Sequence, residues 1–379
     1  MNRIVSLAAA GATTLAALVA AAPVASAATL SEDGGGAQGA SHAVFALTNN
    51  PSGNQVAAYH RAGDGTLSPA GTYATGGLGG VLGGAVVDTL ASQGALTYDR
   101  QARLLFAVNA GSDSVSVFSV VGDRLTLRQV VGSGGSFPVS VAVHGRLAAV
   151  LDGGGSGAVQ LYRVEDRRLR PVASESLGLN PVSGPTQFLN TPGQVGFTPS
   201  GRQLVVTTKL NGNDIDVIGL REDGRLAPLV ANPAANPVPF GFVFDRAGRL
   251  VDGEAGTSAV TTYRIAADSR ITPISSATDN QKALCWITNA GRYQFVANAA
   301  SNSVSGYSIS PTGTPRVVSQ TPTEAGPIDL AASKDGSYLY VEAGGTGTID
   351  AYAVARDGSL SPVQSGVAVS LGLEGIVAA

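Results

Sequence analysis

Apolar and polar residues alternate along this chain in runs of five to eight residues, cut by turn-forming clusters of Gly, Asn, Asp and Pro. That period of two is the mark of half-buried strands. From Lys282 to Thr323 four such runs follow one another: KALCWIT, RYQFVAN, SVSGYSI and RVVSQTP. Variants of this unit recur along nearly the whole chain. Their third strands centre on Tyr59, Phe118, Tyr162, Ile218, Tyr263, Tyr307 and Tyr352, at intervals of 59, 44, 56, 45, 44 and 45 residues. Repeats of this length are those of four-stranded propeller blades. The two long intervals contain insertions, a glycine-rich stretch over 76–94 and a second over 178–193.

Six inner strands (ALTYD, PVSVAV, GQVGFT, FGFVFD, ALCWIT and PIDLAA) each precede a second strand, and the first copy lacks one. A seventh, GLEGIVAA, stands alone at residues 372–379. The pattern therefore predicts an all-β, seven-bladed propeller of four strands per blade. The C-terminal strand lies inside blade one, which leaves no open sheet edge.

Residues 1–27 have a basic start at Arg3, an apolar run from Ile4 to Ala22 and the small-residue exit Ala25-Ser26-Ala27. This is the form of a secretory signal peptide. Residues 28–40 form a Gly/Ala/Ser-rich lead-in, and 41–379 a single propeller domain. The expected location is extracellular, with no membrane association after cleavage. Net charge is −3 and no basic stripe occurs, which argues against a nucleic-acid partner. The single cysteine, Cys285, leaves no intramolecular disulfide to form. A monomer without cofactor or metal is expected.

In a propeller the loops joining second to third strands share one face with the blade-to-blade loops, and the tight hairpins share the other. The first face carries both insertions and is the expected ligand face. Its mouth is predicted to be lined by Asn109, Asp152, Gln194, Lys209, Glu254, Lys282, Asn298, Glu342 and Glu374, and to hold a small oxygen-rich ligand. Turn formation and solvation are the plainer account of each residue singly. His42, His60 and His144 fall at the tight-hairpin end, away from that mouth. The GLGGVLGG run at 77–84 has no lysine and opens no helix, so it is no phosphate loop. It is expected to arch over the mouth. No G-x-S-x-G elbow occurs. The oxygens of Asn211–Asp216 lack the calcium-loop order. Cys285, beside Trp286, reads as packing, with Lys282 the one neighbour that would favour reactivity.

FAVNAGSDSVSVF at Phe106–Phe118, PGQVGFTPSGRQLVV at Pro192–Val206 and the DGxLxP strands resemble the lactonase-like seven-bladed propellers. That family includes bacterial propeller-type 6-phosphogluconolactonases and fungal carboxymuconate lactonizing enzymes; its YVTN-type repeats also occur in surface proteins. The resemblance implies a central site for a small, often anionic, ring compound, with no metal. The chain departs from the family where catalysis is expected. Pro138-Val139-Ser140 stands for Pro-x-His, Thr191-Pro192-Gly193-Gln194 for Gly-Pro-Arg-His, and Lys209 for a glutamate. A lactonase on this chain would need Glu254 or Glu374 as base, with Gln194, Lys209 and Lys282 as donors. The alternatives are a non-catalytic propeller that binds a sugar acid, peptide or wall component, and an extracellular scaffold.

Overall fold

The computed structural model describes residues 42–221 and 224–379; the predicted signal peptide and lead-in lie outside them. The described residues form seven antiparallel sheets arranged as blades. Blade one takes Ala43–Leu47, Gln55–Arg61 and Leu67–Ala74 from the start of the domain and Ile376–Ala378 from its end. The closing strand pairs Val44 with Ala378 and Ala46 with Ile376. Leu47 N–H donates to Gly375 O at 2.9 Å, and Ala379 N–H to Ala43 O at 2.8 Å. Every residue from Ala43 to Leu47 is buried, because the strand is covered on both faces and paired along both edges.

Blades two, three, five, six and seven have the predicted four strands in simple order. Blade four does not. It has three strands, Gln194–Phe197, Gln203–Thr207 and Ile215–Gly219, and its expected fourth strand shrinks to isolated bridges such as Val217 with Val230. Pro228 and Pro233 each remove a ladder donor there. The Asn232 side chain substitutes, donating to Ile215 O and Ser269 O and accepting from Ile271 N–H, which ties the rudimentary edge to blade five.

The tyrosines that mark the repeat have a shared role. Four of them project from a third strand to the outer edge of the preceding blade, while Tyr263 donates to Glu254 in its own blade. Tyr59 donates to Ala368 O (2.6 Å), Tyr162 to Gly132 O (2.5 Å), Tyr307 to Ala277 O (3.4 Å) and Tyr352 to Pro322 O (3.3 Å). A ring that fills the space between blades thus finds a partner for its hydroxyl at the rim. Phe118 and Ile218 fill the same position in blades two and four without that bond.

Candidate functional site: a plugged central channel

The first insertion covers the loop face and then does what the sequence did not predict: it turns down the propeller axis. Its glycines let backbone lie against backbone. A Cβ on Gly79 would collide with Asn49 O, and one on Gly84, whose φ is +85°, with Pro185 O. Asn49 fastens the run by accepting from Gly80 N–H and donating to Gly80 O and Thr89 Oγ1. Gly83 reaches the second insertion, where its N–H donates to Gln187 Oε1 on the short helix Gln187–Asn190.

From Leu90 to Gly94 the chain fills the channel. Gln93 N–H donates to Gly193 O in blade four, while its side-chain amide exchanges bonds of 2.8 and 2.9 Å with Ile287 in blade six. Ser92 Oγ donates to Val139 O in blade three, and Ser92 O accepts from Trp286 Nε1 at 2.8 Å. The GLGGVLGG run is therefore the upper part of a plug, rather than an arch over an open mouth.

Lys209 pins this plug. It is 1% exposed. Its ammonium donates to Ala91 O (2.6 Å), Phe188 O (2.6 Å) and Thr191 Oγ1 (3.1 Å), and lies 5.1 Å from the centre of the Phe240 ring. All three N–H bonds are engaged. Burial pushes its pKa down to about 8, against the opposing pull of Asp88, Cys285 and Glu374.

Carboxyls surround that ammonium at the axis. Glu374 Oε1 accepts from Leu90 N–H (3.0 Å) and Thr89 Oγ1 (3.1 Å), and Glu374 shares a hydrogen bond with Asp88. Asp88 is half-buried as a residue, but its Oδ1 is itself buried and makes no hydrogen bond within the protein. Burial raises Asp88 to about 6, although Glu374, Lys209 and the Ala91 and Ser92 amides hold it down. Burial, then the charge of Asp88, raise Glu374 well above its ordinary value. Glu342 follows the same course through burial and Asp329, and its Oε2 accepts from Gly375 N–H.

Of the residues expected at the mouth, Lys209, Glu342 and Glu374 meet in this group. Glu254 does not. It is turned into its own blade, accepting from Asn236, Thr261 and Tyr263, so no face of it meets the axis. One residue of register separates the two outcomes. Glu254 pairs with the first residue of its inner strand, Pro239, whereas in blade seven that place is Ala343 and Glu342 stands one residue earlier, facing the other way. Asn109 and Asn298 occupy the Glu254 position and brace local loops through Ser114 and Ser116, and through Ser303 and Ser305. Asp152 is buried in the same place in blade three. Gln194 exchanges both amide bonds with the Phe242 backbone, joining blades four and five below the plug. Lys282 is exposed at the rim, away from the axial group. Cys285 is buried and its thiol is pushed far up by burial, which makes it inert packing.

Asp88 was missed. It is the single charged residue between Gly76 and Gly94, and that isolation in an apolar insertion was a usable signal.

The lactonase model for seven-bladed β-propellers matches residues 269–373. Over that stretch the chain is similar to the lactonase propellers. Similar solved structures extend the likeness over the domain. A periplasmic gluconolactonase of Pseudomonas aeruginosa is 18% identical, with a TM-score of 0.70 over 89% of this chain and 99% of that one. A 6-phosphogluconolactonase candidate from Bacteroides fragilis is 17% identical, also at 0.70, covering 89% and 97%. A Lactobacillus plantarum protein is 16% identical, at 0.70 over 88% and 98%. No curated protein matches the sequence. At these identities the structures share the fold with this chain.

Proposed function

We propose that this protein hydrolyses a small, sugar-type lactone with Asp88 as general base, and that it does so outside the cell after removal of residues 1–27. One observation carries the reading: the Asp88 carboxyl, one oxygen of which has no hydrogen-bond partner within the protein, stands beside Glu374 and in the field of the buried Lys209 ammonium. A carboxyl raised to about 6 is ionised at neutral pH and still basic enough to take a proton from water. The water oxygen adds to the lactone carbonyl, and the oxyanion that forms is stabilised by the Lys209 charge, which acts through space because its donors are engaged. As the ring C–O bond breaks, the proton held on Asp88, shared with Glu374, passes to the ring oxygen. The product is the open hydroxy acid, and Asp88 is regenerated.

A second reading, a propeller that binds such a ligand without turning it over, is favoured by the engagement of all three Lys209 N–H bonds in holding the plug. Proton release from glucono-δ-lactone and an aliphatic δ-lactone, at fixed pH and with chelator present, decides between them. Hydrolysis above the spontaneous rate is expected to fall about 100-fold in Asp88→Asn and to survive in Glu254→Gln. Background rates in the wild type would transfer the assignment to the binding reading. An active Asp88→Asn would move the base elsewhere.

A further inference from the structure

Below the plug the channel reopens. A cavity of about 310 Å3 lies on the axis, lined by the inner strands of six blades. Its ceiling is Gln93 and Gly94, and its walls include Phe197, Phe242, Phe244 and Asp329. Partly exposed Thr97, Ala142 and Phe244 mark where it opens on the tight-hairpin face. The plug lies between it and the Asp88 group; Asp329 in its wall feels the Asp88 charge and in turn raises Glu342, but the ligand of this cavity does not rest on the lactone reading.

Its polar lining is almost wholly satisfied. Gln93 and Gln194 have both amide groups engaged by Ile287 and Phe242, and Thr97 Oγ1 donates to Val141 O at 2.6 Å. Asp329 is the exception. Its residue is 4% exposed and its backbone is held at φ +37° on a bulge of the inner strand, where the register shifts between Ile328 and Leu330. Left-handed backbone at a non-glycine residue on a bulge re-aims a side chain at a cost in strain. The carboxyl accepts only from Leu330 N–H (2.8 Å) and, at a long 3.4 Å, from Ile376 N–H. No lysine, arginine or histidine lines the cavity. A buried carboxylate without a counter-charge is costly, and it is relieved by a cation supplied from outside.

We propose that this cavity is a binding site for a small amine carrying one aromatic or aliphatic ring, with its ammonium on Asp329 and its ring among Phe197, Phe242 and Phe244. The volume is at the small end of ligand sites, sufficient for a single-ring molecule. The phenylalanine faces add a further attraction for a cation.

The test uses the mature protein and three single-ring probes that differ in their polar end, phenethylamine, phenylethanol and phenylpropionate, titrated by calorimetry and by NMR at pH 7.5. The amine is expected to bind saturably, at least tenfold tighter than the alcohol, with no binding of the acid. Asp329→Asn should erase the preference while retaining weak binding of the alcohol. Absence of saturable amine binding to the wild type overturns the site. Equal affinity for amine and alcohol leaves an apolar cavity only and overturns the role of Asp329. The probe series on the unaltered protein decides the matter even if the Asn variant fails to fold.

Discussion

Replacing Lys209 by Met keeps most of the side-chain volume and removes the ammonium that ties the plug and the second insertion to blade four. Two buried carbonyls, Ala91 O and Phe188 O, lose their 2.6 Å donor. An orphaned buried acceptor costs about 1–3 kcal/mol, so the pair costs about 4 kcal/mol. Against this stands the cost of burying an ammonium. Its pKa falls from 10.5 to about 8, which corresponds to on the order of 3 kcal/mol that the variant recovers. The difference, about 1–2 kcal/mol, falls on the plug rather than on the blades. Opening of the plug should become about tenfold more frequent. Hydrogen exchange reads this directly: protection of the Leu90 and Gln93 amides is expected to drop about tenfold, while amides inside blade six, such as Val296, keep theirs. Trp286, the single tryptophan, offers a second readout, because its indole donates to Ser92 O within the plug. Its emission should shift to the red and become easier to quench. Unchanged protection at Leu90 and Gln93 would refute the pinning role, and so would an equal loss across all blades.

Two further perturbations follow from the same physics. Burial raises Asp152, Asp216 and Asp329 to about 7, so between about pH 4 and 7 the folded chain holds more protons than the unfolded one. Their stabilising contribution is complete below the unfolded value and is lost as pH rises through 7. The urea midpoint should therefore be higher at pH 5 than at pH 8, and Asp152→Asn should reduce the difference; a midpoint that rises with pH would contradict this. Deleting Ile376–Ala379 strips the closing strand and exposes the edge of Ala43–Leu47. The buried Ile376 side chain and the lost ladder bonds together make a loss of about 5 kcal/mol or more, with association of the exposed edges. Calorimetry and size-exclusion chromatography should show a lower midpoint and oligomers, whereas a monomer of unchanged midpoint would show that closure contributes little.

The sequence by itself determined the architecture, because a propeller blade is made of local contacts. Alternation sets each strand, Gly and Asn set each hairpin, and a repeat of 44 or 45 residues sets the number of blades. The unpaired GLEGIVAA then had a single vacancy to fill. Blade four lost its outer strand where prolines withdraw the donors, a local cause that was also readable. The centre of the channel is a different matter. There, groups from the first insertion, blade four, blade seven and the C-terminus meet across most of the chain's length, and no period governs their pairing. Whether a strand-end carboxyl reaches the axis turned on one residue of register, which sent Glu342 inward and Glu254 into its own blade. Lys209 was visible as an oddity, but its partners, Ala91 O and Phe188 O, are backbone atoms that no side-chain pattern announces. Asp88 and Asp329 acquire their character from burial and from neighbours brought together by the fold, Glu374 and Lys209 for Asp88 and the Asp88 charge for Asp329, and these exist only once the ring has closed.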